Sequence, residues 1–157
     1  MAAFDLWDSP LIGAYLIWRF TRAFEAKNTS GPNLLLAFPA LVILITPDLA
    51  APLASTKVNS ISDYTFHFIQ NGDSTLALLG GLISEKRELV RLSLSVAFAS
   101  SLLHITRDGK LHANPGPSPN NHARQFRKDN DAKAQKLGEI LADVPAEKIG
   151  YYLGVNF

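Results

Sequence analysis

The chain has no cysteine. That removes disulfides, thiolate nucleophiles and cysteine-ligated zinc together. Charge is scarce as well. Asp, Glu, Lys and Arg make up 18% of the 157 residues, clearly below the usual quarter. They balance to a net charge of +1, which argues against a protein that works mainly by nonspecific grip on nucleic acid. No apolar run reaches the roughly 20 residues of a membrane-spanning helix. The stretch Leu34–Ile45 is closed by Pro32 and by Pro47-Asp48, and residues 76–83 are cut by Ser84-Glu85-Lys86-Arg87. The opening "MAAFDLWDSP" holds two acids and no basic patch before an apolar stretch, unlike a signal peptide. The expectation is a cytoplasmic protein without a membrane segment. It is read as one domain over residues 1–157: a helical body with a wing (1–113), a loop (114–121) and C-terminal helices (122–157).

Catalytic motifs are also missing. Gly80-Gly81 and Gly109 have neither Walker nor dinucleotide-binding spacing around them. No Gly-x-Ser-x-Gly elbow occurs among the many serines. "SEKRE" reads as a solvated helix start, and His67, among Tyr64, Phe66 and Phe68, reads as a packing residue. His104 and His112 flank a turn and can face one another across two strands, but a metal site there needs a further ligand, and none stands at a telling spacing. The sequence therefore predicts no enzyme, no cofactor and no metal.

What is abundant is apolar surface. Pro10 suits a first helical position after Ser9, and a helix over 10–26 carries Leu11, Ile12, Tyr15, Leu16, Ile17, Trp18 and Phe20 with few polar interruptions. A helix apolar all round must be buried on every side, which in so small a chain suggests a partner. "LLLAFPALVILITP" (34–47) follows, read as a helix kinked at Pro39 or as two helical pieces meeting there. One half is expected in the core and the other against a partner. Leu11, Tyr15, Trp18, Phe38, Val42 and Leu44 are the candidate partner-interface residues.

Further helices are expected over 60–70, from Ser74 or Thr75 to about 83, and over 85–101. "LLHITRDGKLHA" then reads as a hairpin with a two-residue Asp-Gly turn. A charged amphipathic helix within 123–144 and a short one after Pro145, ending at Leu153-Gly154, complete the chain. Several helices with one leading straight into a hairpin make a mainly α domain with a small β-hairpin wing, like a degenerate winged helix. Arg107 and Lys110 at the wing tip, with Arg124, Arg127 and Lys128 beyond the loop, are candidates for nucleic-acid backbone contact. The helix before the wing offers Arg87 and Arg91 at its start and then mostly Leu, Ser, Val, Ala and Phe, a surface unsuited to a major groove.

The order of four motifs carries a resemblance. "DSPLIGAYLIWRF", "LLLAFPALVILITP", "LVRLSLSVAFASSLLHI" and the closing "YYLGV" resemble, in that order, the middle components of bacterial ABC-three-component conflict systems, among them the small subunits of Lamassu-type antiphage and antiplasmid systems. Asp8-Ser9 stands where that family tends to have Asn directly before the proline. The resemblance implies a non-catalytic adaptor between an SMC-like ABC ATPase and an effector, expected to be a nuclease, reaching DNA indirectly through the complex. A stand-alone winged-helix DNA-binding regulator is the alternative from another class.

Overall fold

The computed structural model describes residues 8–116 and 124–156, with the backbone alone over 124–129. Helix α1 (Pro10–Lys27) starts on Pro10, and Gly13 N–H bonds back to Ser9 C=O at 2.9 Å; the Ser9 side chain itself makes no cap bond. A short 3-10 turn (Leu34–Leu36) leads into α2 (Ala37–Ile45) and α3 (Pro47–Ala50). Helix α4 (Ile61–Gln70) has the capping that its sequence suggests. Ser60 Oγ accepts the Asp63 N–H at 3.1 Å, and Asp63 accepts the Asn59 N–H at 3.0 Å. Helix α5 (Leu79–Ala99), strands β1 (Leu103–Ile105) and β2 (Leu111–Ala113), α6 (Arg124–Ala142) and α7 (Ala146–Leu153) follow. The fold is mainly α with a small antiparallel hairpin, as the sequence predicts.

Helix α1 is the axis of the molecule, covered by α6, α5, α2 and β2. Close approach depends on two glycines. A Cβ on Gly13 would lie 2.0 Å from Ser93 Oγ, so α5 sits directly against the α1 backbone. A Cβ on Gly138 would lie 2.6 Å from Phe20 C=O, and α6 closes in from the other side. The α1–α6 seam is a ladder. Tyr15 Oη donates to Asp131 at 2.5 Å, Arg19 to Gln135 at 2.7 Å and Lys27 to Asp143 at 2.6 Å, every pair separated by 116 residues. Partner numbers that rise together mean the two helices run parallel. The expectation that α1 needs another protein to cover it is thus corrected: its own chain buries it, and Leu11, 71% exposed, is the outlier.

The apolar run of α2 resolves the same way. Leu36, Ala37 and every residue from Pro39 to Ile45 are buried. Pro39 is the third residue of α2, inside the first turn, where a missing N–H costs no helical bond. The chain therefore does not kink there, and turns instead at Thr46, where the two apolar stretches meet at 99°. No single helix among the described residues is long and apolar enough to cross a membrane. The two helices expected over 74–83 and 85–101 are one, α5, preceded by a 3-10 turn (Thr75–Leu78). Its polar Ser84–Arg87 stretch is an exposed helical turn, not a break.

Helix α5 ends in a six-residue closing motif. Leu102 N–H bonds Ala97 C=O at 2.9 Å and Ser101 N–H bonds Phe98 C=O at 3.2 Å, with Ser101 left-handed at φ 60°. The hairpin starts at once. Its register pairs Leu103 with Ala113, His104 with His112 and Ile105 with Leu111. The loop is one residue longer than expected: Gly109 N–H closes a turn on Thr106 C=O at 3.1 Å, and Gly109 takes φ 78°. The wing is not free-standing. Leu111 N–H bonds Pro32 C=O at 2.8 Å, Leu34 N–H bonds Gly109 C=O at 2.9 Å, and Asn33 bridges Lys110. At Gly31 a Cβ would fall 1.8 Å from Leu111 C=O, so only glycine permits this approach.

Candidate functional site

The sequence-derived candidates separate into two groups once placed. Of the partner-interface set, Val42 and Leu44 on α2 and Trp18 on α1 lie in the core. Trp18 is roofed by Gly116 and donates its Nε1–H to Asn114 C=O at 2.8 Å. Tyr15 is half-buried in the α1–α6 seam, and Phe38 is half-buried at the edge of α2. Only Leu11 offers an open apolar side chain. Those three buried positions are corrected to core: their hydrophobicity serves the chain's own interior.

The basic set is not brought together. Arg107 is exposed at the hairpin tip. Lys110 is half-buried and held by its backbone bridge to Asn33. Beside it, Asp108 accepts the Thr106 hydroxyl hydrogen bond, which holds its carboxyl below the usual carboxylate range, with Lys110 adding attraction. The tip therefore carries both signs of charge. The backbone at Arg124, Arg127 and Lys128 opens α6, and their side chains lie outside the described residues, as does His122. Residues 124–128 start the helix that runs parallel to α1, while the hairpin tip meets residues 33 and 34, beyond the far end of α1. The two basic groups sit at opposite ends of an 18-residue helix, about 27 Å apart by its length.

Exposed apolar surface lies elsewhere. On α4, Ile61, Tyr64 and Phe68 point inward, while Phe66 and Ile69 point outward, Ile69 with 74% exposed. Tyr64 is fixed from within: its hydroxyl donates to Leu49 C=O at 2.7 Å, and burial pushes its phenol well above its ordinary range. On α7, Ile149 and Leu153 are buried one turn apart, which turns Tyr151 out to 85% exposure. Gly154 ends that helix at φ 70°. Between α4, the 3-10 turn before α5 and α7 runs an open groove of about 310 Å³, lined by Phe68, Ile69, Leu76, Tyr151 and Leu153. At its margin Asp73 accepts both the hydroxyl and the N–H of Thr75, holding its carboxyl below the ordinary value.

The outer face of α5 also exposes apolar side chains, beside the Glu88–Arg91 ion pair. Leu92 and Phe98 are exposed there, with Ser95 and Ala99 between and beside them. This is the helix that leads into the hairpin, and its outward face matches the surface the sequence predicts. A second cavity of about 190 Å³ lies past the end of α1, between Phe24, Leu35, Lys110, Val144 and Ile149. Among the described residues, no group of three or more His, Cys, Asp and Glu side chains is arranged to hold a metal ion.

Sequence reasoning missed Phe66, Ile69 and Tyr151. The signal was present in "YTFHFIQ": apolar residues on two opposed phases of one helix, only one of which can face the core.

A family model described as ABC-three component (ABC-3C) system Middle Component 3 matches residues 2–157. No curated protein and no solved structure matches the chain.

Proposed function

The chain belongs to the ABC-three component system Middle Component 3 family, and from that premise we propose that it acts as a non-catalytic adaptor. Membership makes it a middle component of an ABC-three-component defence system, with partner proteins. In the reading proposed here the partners are an SMC-like ABC ATPase and an effector of nuclease type. The chain joins them in the cytoplasm, and DNA is sensed through the assembled complex. The four sequence motifs that resemble Lamassu-type small subunits support this choice of partners.

The observation that carries the adaptor reading is the groove between α4 and α7, with Ile69 and Tyr151 standing open beside it. Clustered exposed apolar groups mark protein-binding surfaces, and a tyrosine at the edge of an apolar groove is a common energetic anchor. The outward Leu92 and Phe98 of α5 support protein contact over groove reading of DNA by that helix.

The test is co-expression with the proposed ATPase and effector partners. Tyr151→Glu and Ile69→Glu should each cut co-purification by about tenfold or more, on the scale of a lost interface anchor. Their melting temperatures should match the native chain, because both side chains are exposed. Full assembly by the double variant would refute the groove as the docking surface. ATP or DNA hydrolysis by the purified chain alone would refute the non-catalytic role.

A further inference from the structure

On the polar face of the hairpin, His104 and His112 are direct cross-strand partners, both solvent-exposed. Their ring centroids are 4.5 Å apart and their planes are inclined by 47°. Each Nδ1 is held from outside the pair. His112 Nδ1 lies 2.6 Å from Glu25 Oε2, and the other Glu25 oxygen accepts the Ala113 N–H at 2.6 Å, so the carboxylate is itself anchored. His104 Nδ1 lies 2.8 Å from Asn114 Oδ1. Asn114 donates its Nδ2 to Ser101 C=O at 2.9 Å, which turns the amide oxygen toward the ring.

A carboxylate and an amide oxygen accept hydrogen bonds and do not donate them. In the neutral rings both protons therefore sit on Nδ1, and both Nε2 atoms keep a free lone pair. Metal-bound histidines carry the same support, one ring nitrogen on the ion and the other N–H given to a carboxylate or carbonyl. We propose that His104 and His112 form a two-histidine chelate for a divalent transition-metal ion of the Cu²⁺ or Ni²⁺ class, with water in the remaining positions.

The spacing agrees with the chemistry. With a metal–nitrogen bond near 2.0–2.1 Å, an imidazole centroid lies about 3.2 Å from the ion. Two such rings at a right angle about the metal have centroids about 4.5 Å apart, and at the tetrahedral angle about 5.2 Å. The observed 4.5 Å puts both rings within reach of one ion, and imidazole nitrogens with water are a donor set that suits Cu²⁺ and Ni²⁺. Glu25 is a positioning residue for His112, not a ligand.

The test uses the full chain without an affinity tag, titrated with NiCl₂ or CuSO₄ by calorimetry. One equivalent should bind, and the Cu²⁺-loaded protein should show two imidazole nitrogens by electron paramagnetic resonance. His104→Ala and His112→Ala should each abolish that two-nitrogen signature. His67→Ala and His122→Ala should keep it. Glu25→Gln should weaken binding about tenfold, with thermal melting used to confirm that the variant is folded. Failure of the native chain to bind one equivalent would overturn the proposal. So would a His104→Ala, His112→Ala double variant that binds as tightly as the native chain.

Discussion

Gly13 and Gly80 are both helical glycines, but their surroundings place opposite demands on them. At Gly13 an added methyl carbon would lie 2.0 Å from Ser93 Oγ and 2.8 Å from Ser93 Cβ. Ser93 has little room to yield, because it is fully buried and its hydroxyl donates to Leu89 C=O at 2.7 Å. At Gly80, in the first turn of α5, nothing lies within 4 Å of the same carbon. Gly13→Ala should therefore cost about 1–3 kcal/mol, the range for overpacking a close contact. Gly80→Ala should gain up to about 1 kcal/mol from the lower entropy of the unfolded chain. Urea melts of the two variants check the pair, and a Gly13→Ala as stable as the native chain would mean α1 and α5 can separate freely. Neither role is visible in the sequence. Gly13 looks like any small residue in a helix until its neighbour 80 residues on is known, and Gly80-Gly81 looks like a weak point inside a helix although it only begins α5.

Among the elements, α2 separates what patterning can and cannot say. Its apolarity is obvious in the sequence, and so is the hairpin, whose strands fall where the alternation around Asp108-Gly109 places them. The role of Pro39 is not, because a proline inside the first turn and a proline in mid-helix look alike until the helix start is known. Nor could the sequence say that both ends of the run are buried, since its cover comes from α1, α5 and α6, far away along the chain. The consequence is measurable. Val42 is fully buried, so Val42→Asp should leave an unpaired charge in the core and unfold the isolated chain, at a cost well above 3 kcal/mol. Circular dichroism should show no cooperative melt. A folded Val42→Asp that merely loses its partners would restore α2 as an interface. The real candidate surface was harder to read. Ile69 and Tyr151 come together only because α4 and α7 each turn one apolar phase inward and leave another out.

Across the whole molecule, the separation of the basic residues limits what the chain can do with nucleic acid. Arg107 stands alone at one end of α1, next to the carboxylate of Asp108 and a half-buried Lys110, and residues 124–128 begin at the other end. Any duplex affinity of the isolated chain should be weak and indifferent to sequence. Arg107→Ala should lower the slope of log affinity against log salt by about 1 or less, the loss of a single phosphate contact. Fluorescence anisotropy between about 50 and 200 mM salt gives that slope. A complete loss of binding, or a changed sequence preference, would mean the tip reads DNA directly.

The parallel ladder of α1 and α6 also governs how the chain comes to life on the ribosome. Its rungs join residues 116 apart, and closing a loop of that length costs roughly 4 kcal/mol in chain entropy before any contact repays it. During translation the apolar flank of α1, with Phe20 and Ala23 waiting for Gly138, is exposed long before α6 has been made. Packing around α1 therefore waits until α6 has been made. The groove between α4 and α7 is subject to the same delay, because Tyr151 and Leu153, which close it, are made about 80 residues after Phe68 and Ile69.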